Sequence, residues 1–124
     1  MNLIDNRSIK RAKRAFSCLP LNHSFYKDIQ TKGLNAEEVF QKSRQYKLED
    51  SKWFNSSASL EDCFCWLIII GVLRREVDGQ GLTSKVRITP LGRQILLEEP
   101  NLLEKKAGII EQIINFFYRK WPLR

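Results

Sequence analysis

The feature that most constrains this chain is a change of period at Gly71. Before it, Leu60, Phe64 and Leu67 recur at three- and four-residue steps within an almost wholly apolar run, the spacing of one face of an α-helix. After it the period falls to two. Val72 to Asp78 reads as a strand, Gly79-Gln80-Gly81 as a flexible turn, and Lys85 to Thr89 as the return strand. Gly71 suits the position just past a helix end, where a left-handed backbone is needed. Thr89-Pro90 then opens another helix, with Thr as N-cap and Pro at the first helical position, where its missing N–H costs nothing. The helix before Gly71 is expected over 59–71, with Ser59 as cap and Glu61 and Asp62 in its first turn.

The rest of the chain is read around this hairpin. Arg7 to Leu19 suits a helix whose apolar stripe is Ile9, Ala12, Phe16 and Leu19, with Lys10, Lys13, Arg14 and Ser17 on another face. Residues 20–34 are ambiguous, with a short helix over Ser24 to Lys32 as one option. Asn35 to Lys47 is a clearer helix, with Asn35 as N-cap and Val39 and Phe40 facing inward. Leu48 to Ala58 is a polar loop pinned by Trp53 and Phe54. Pro100 separates the helix after the hairpin from a last one, Asn101 to Trp121. The 124 residues make one domain: N-terminal helices over 7–47, a third helix over 59–71, the hairpin over 72–89 and C-terminal helices over 90–121. The fold class is mainly α in content and α+β in arrangement.

Trp66 to Leu96, WLIIIGVLRREVDGQGLTSKVRITPLGRQIL, resembles the winged helix-turn-helix bacterial regulators of the MarR and PadR type. The residues that carry the likeness are Leu67, Gly71, Val72, Leu73, Arg75, Gly79, Gly81, Ile88, Thr89, Gly92 and Arg93. The resemblance implies a winged helix with one β-hairpin wing, DNA as partner, and a long C-terminal helix used to dimerise. On that last helix Ile109, Ile110, Ile113, Phe116, Phe117 and Trp121 belong to a broad apolar face, which either folds back on the domain's own core or forms a dimer or partner interface.

Charge points to acidic partners, chiefly nucleic acid. Lys and Arg number 21 against 14 Asp and Glu, a net charge of +7. Residues 1–32 carry seven bases and two acids, whereas 60–98 carry five of each. The candidate phosphate ligands are therefore Arg7, Lys10, Arg11, Lys13 and Arg14 near the N-terminus, and Arg74, Arg75, Lys85 and Arg87 on the hairpin. The resemblance makes the helix before the wing the reader of base edges. Its expected outward residues are Glu61, Asp62, Cys65, Trp66 and Ile69. None is basic, and donors such as Arg, Lys, Asn and Gln are what base edges require. Only the serines at 56, 57 and 59 can contact phosphate there.

No catalytic constellation emerges. Cys63-x-Cys65 places two thiols on different helix faces, and only Cys18 and His23 can join them, so no metal is expected. The two glycines of the hairpin turn do not precede a helix, as a phosphate-cradling loop requires. Three cysteines without an even framework, a polar basic start and no long apolar run lead us to expect a reducing, cytoplasmic setting, with no membrane span and no cofactor. An organelle transit peptide is a weaker reading of the basic start. The expected function is that of a non-enzymatic DNA-binding winged-helix protein, a transcription regulator acting as a dimer. The alternative is a winged-helix protein-interaction module or small subunit of a nucleoprotein assembly, without sequence readout.

Overall fold

A computed structural model of the chain describes residues 6–104. The order of elements is α1 (Asn6–Cys18), α2 (His23–Thr31), α3 (Ala36–Gln41), α4 (Ser43–Tyr46), α5 (Ser57–Ile69), β1 (Leu73–Asp78), β2 (Gly81–Ile88) and α6 (Pro90–Glu98), followed by a 3-10 turn at Leu102–Glu104. The arrangement is α+β, with the helices around one antiparallel hairpin. The expected last helix, Asn101 to Trp121, falls beyond the described residues except for its first few, which form that 3-10 turn.

The ambiguous segment after Pro20 resolves into α2. Asn22 caps it, its side-chain oxygen accepting from the Phe25 N–H at 3.0 Å. The single helix expected over Asn35 to Lys47 is two short ones, because Lys42 leaves helical geometry at φ −109°, ψ 44°. Asn35 does cap the first of them. It accepts from the Glu38 N–H at 2.8 Å, while Glu38 accepts from the Asn35 N–H at 3.0 Å, a reciprocal capping box. Asn35→Ala is expected to cost about 1 kcal/mol, measurable as a lower urea midpoint at unchanged slope.

Two expectations for the third helix are corrected. It begins at Ser57, capped by Ser56 rather than Ser59: the Ser56 hydroxyl accepts from the Ser59 N–H at 3.1 Å. Ser59 is the box's third residue, its hydroxyl accepting from the Ser56 N–H at 3.3 Å. Trp66, expected outside, is buried. The helix is covered further round than the single stripe of Leu60, Phe64 and Leu67. Cys63 is buried as well, while Cys65 and Ile69 are exposed as expected.

The helix ends where expected. Gly71 has φ +90°, a conformation any side chain would strain, and the Val72 N–H bonds back to the Leu67 carbonyl at 2.9 Å. The hairpin's register pairs Leu73 with Ile88, Arg74 with Arg87 and Arg75 with Val86, with an irregularity between Arg75 and Val77. The turn is tighter than expected, because β2 starts at Gly81, paired with Asp78. Leu34, in the connection between α2 and α3, forms an antiparallel bridge to Val86 through both backbone hydrogen bonds, at 2.8 and 3.3 Å. That bridge adds a third short strand segment to the hairpin and ties it to the helices.

The core lies between these elements. Phe25 is its hub. It stacks on Phe64 of α5 at 5.7 Å between ring centroids and meets Tyr26 and Tyr46 edge-on. Leu60, Leu67, Leu73 and Val86 close it beneath the hairpin. The loop after α4 is pinned by its aromatics, with the Trp53 indole N–H donating to the Phe40 carbonyl at 3.1 Å and packing edge-on against Phe54.

Candidate nucleic-acid interface

The nine candidate cations divide by what their side chains touch. On α1, Arg7 and Lys10 are exposed, whereas Arg11 and Arg14 are half-buried with Nε of each out of solvent. Lys13 pairs with Glu99 at 3.0 Å, fastening α1 to the end of α6. A lysine held in that pair is already partly neutralised, which weakens it as a phosphate ligand.

The hairpin arginines are more firmly committed. Arg75 donates to the Glu61 carboxylate of α5 and, at 2.8 Å, to the Ser84 carbonyl across the hairpin. Its side chain is 18% exposed. Arg87 donates through Nε to the Ile29 carbonyl at 3.0 Å, through Nη2 to the Gln30 carbonyl at 2.7 Å and through Nη1 to Glu76 at 3.2 Å. Ile29 and Gln30 sit in the last turn of α2, where unsatisfied carbonyls concentrate negative charge and favour a cation. Arg87 thus closes the end of a helix with a planar fork that lysine lacks.

Arg74 and Lys85 remain. Both are exposed, and neither forms an ion pair with any carboxylate among the described residues. Arg74 stands directly opposite Arg87, and Lys85 lies two residues before Arg87 on the same strand. Side chains of a strand alternate between faces, so Arg74, Lys85 and Arg87 share one face, with the Arg87–Glu76 pair on it. Gly33 lies against this face: a Cβ there would come within 2.6 Å of the Glu76 carboxylate and 2.9 Å of Lys85 Cβ. Lys32, exposed next to Gly33, is a further cation beside the hairpin that sequence reading missed; nothing local in the sequence connects it to Lys85. Glu61 and Glu76 were missed as partners because they pair with arginines 14 and 11 residues away.

The two basic groups are held by different parts of the fold. The first helix packs on α6 and the 3-10 turn, while the hairpin packs on α2 and α5. The outward side of α5 is not cationic. Asp62, Cys65 and Ile69 are exposed and Glu61 half-exposed. Burial pushes the Cys65 thiol up, and Glu61 adds to this while Arg75 pulls the other way. The thiol is therefore held protonated, the opposite of what a nucleophile needs. The Tyr46 hydroxyl likewise keeps its proton and donates a hydrogen bond to Asp28 at 2.7 Å, with its pKa pushed up to about 12 by burial and that carboxylate. Among the described residues no cluster of three metal-binding side chains is present, and no helix is long and apolar enough to cross a membrane.

The expected dimer or partner residues Ile109, Ile110, Ile113, Phe116, Phe117 and Trp121 lie outside the described residues.

Fold and surface together define an α+β domain that carries a cationic hairpin, tied to α5 by the Arg75–Glu61 ion pair and to α2 by the hydrogen bonds of Arg87 to two backbone carbonyls. The chain belongs to the Npun_F0494-like family, whose model matches residues 3–119. No curated protein and no solved structure matches it.

Proposed function

We propose that this protein is a winged-helix DNA-binding protein that engages duplex DNA through its hairpin. The observation that carries the reading is the exposure of Arg74 and Lys85 on one face of a hairpin built into the helices by the Leu34 bridge. Helix, bridging segment, helices, helix and two strands, in that order from α2 to β2, is the order of a winged helix. The net charge of +7 supports the same partner. Contacts of this type reach phosphates, and phosphates carry affinity without base sequence.

Binding to a mixed-sequence duplex is expected to weaken steeply with salt, and Arg74→Glu/Lys85→Glu is expected to abolish it. Fluorescence anisotropy across a salt series measures both. A folded wild-type protein that leaves the duplex free at low salt would rule this function out. A second reading, a protein-interaction module without DNA, is favoured by the acidic and apolar outward side of α5, where Ile69 is 55% exposed. It predicts that same null titration. Regulation of transcription and dimerisation through the apolar residues of 109–121 belong to the proposal and are tested by genome-wide occupancy and by sedimentation.

A further inference from the structure

Three arginines on the hairpin look alike in sequence, and the structure separates them. Arg74 is exposed, and among the described residues its side chain donates to the neighbouring Arg75 carbonyl at 3.3 Å. Arg87 has all three guanidinium nitrogens engaged within the protein, on two carbonyls of α2 and on Glu76. A guanidinium that reached a phosphate would have to give up those bonds and leave the Ile29 and Gln30 carbonyls without this partner.

We propose, resting on the DNA-binding reading, that Arg87 is a positioning residue. It takes no phosphate, and its clasp on the end of α2 sets the hairpin so that Arg74 and Lys85 reach the backbone together. Glu76 is the other half of the device. It lies across the hairpin from Arg87 and against Gly33, so the carboxylate orients the fork at the point where the α2–α3 connection passes. An acid beside the phosphate-facing cations is otherwise a liability, since it repels the ligand they attract.

The test separates a phosphate ligand from a positioning residue by the slope of log affinity against log salt, which counts neutralised phosphates at about 0.9 per contact. Mixed-sequence duplex is titrated by anisotropy with full-length protein. Arg74→Gln and Lys85→Gln are each expected to flatten the slope by about 0.9, and Arg74→Lys to keep both slope and affinity. Arg87→Lys keeps the charge and loses the fork. It is expected to weaken binding roughly tenfold, the scale of one lost charge-assisted hydrogen bond, at unchanged slope. Glu76→Gln gives the decisive sign. It makes the protein more positive, so bulk electrostatics predicts tighter binding, whereas loss of the clasp predicts weaker binding.

Thermal melts identify any variant that fails to fold. In that event Glu76→Gln, which leaves Arg87, Arg74 and Lys85 in place, supplies the same comparison. Wild-type binding with Arg87→Gln flattening the slope by about 0.9, or with Glu76→Gln binding more tightly, overturns the inference and leaves the DNA reading intact. A folded wild type that leaves the duplex unbound at low salt overturns both.

Discussion

Phe64→Ala is expected to lower the free energy of unfolding by about 3–5 kcal/mol. Phe64 is fully buried and stacks on Phe25, whose own ring meets Tyr26 and Tyr46 edge-on. Truncation removes the ring's transfer free energy and leaves a void among rigid aromatics that cannot collapse into it. Phe25 belongs to α2, so the loss loosens the docking of α5 on that helix. A loss of that size is a large fraction of the roughly 5–15 kcal/mol that holds a domain together. The measurement is the urea midpoint at constant slope. A drop below about 0.5 kcal/mol, the range of surface substitutions, would mean that the stack does not exist as described. Leu82→Ala is the control. It is 75% exposed at the hairpin tip and is expected to change stability by less than about 0.5 kcal/mol.

Gly92→Ala is the second large effect, and its cause is the reverse of a cavity. A Cβ at Gly92 would lie 2.9 Å from the Val72 carbonyl oxygen and 3.0 Å from Ile88 Cγ1. The first of these is backbone, which cannot swing aside as a side-chain tip can. The helix would have to back away from the strand ends, at a cost of about 1–3 kcal/mol. The same approach holds the cap together. The Thr89 hydroxyl accepts from the Gly92 N–H at 3.1 Å and donates toward the Gly71 and Val72 carbonyls at 2.5 and 3.0 Å. Thr89 thus joins the end of α5, the start of β1 and the start of α6 at one point, and moving α6 disturbs all three. Alanine is otherwise the better helix former by about 1 kcal/mol, so the outcome has a clear sign. A more stable Gly92→Ala protein would show that the contact is looser than these distances.

These two residues also show how much was legible beforehand. Phe64 fell on the apolar stripe by spacing alone, and the burial of Leu60, Phe64 and Leu67 follows that stripe. Gly92 was picked out by resemblance without a reason, and the reason is the close approach of α6 to β1. Caps and turns were read well where one residue supplies the interaction. Asn35, Gly71 and Thr89-Pro90 act where they were expected to. Ser59 was mistaken for the cap because two serines three apart can each take either place in the box, and the choice depends on where the loop enters.

The candidate interface was legible as a set of charges and no further. Arg74, Arg75, Lys85 and Arg87 are alike as a list of cations on two strands. Their differences come from Glu61, Glu76 and the carbonyls of Ile29 and Gln30, which lie on other turns of the chain. Local chemistry is written in neighbouring residues, since helix period, strand alternation, capping and chain reversal act over a few positions. The sequence therefore settled where the main helices and the hairpin lie and that Leu60, Phe64 and Leu67 turn inward, while the burial of Trp66 came from packing. Whether a cation stays open to a ligand or is consumed within the protein depends on atoms brought together by packing over long sequence separations, at distances where one carboxylate decides the matter. Folding left Arg74 and Lys85 exposed, and tied Arg75 and Arg87 to the helices.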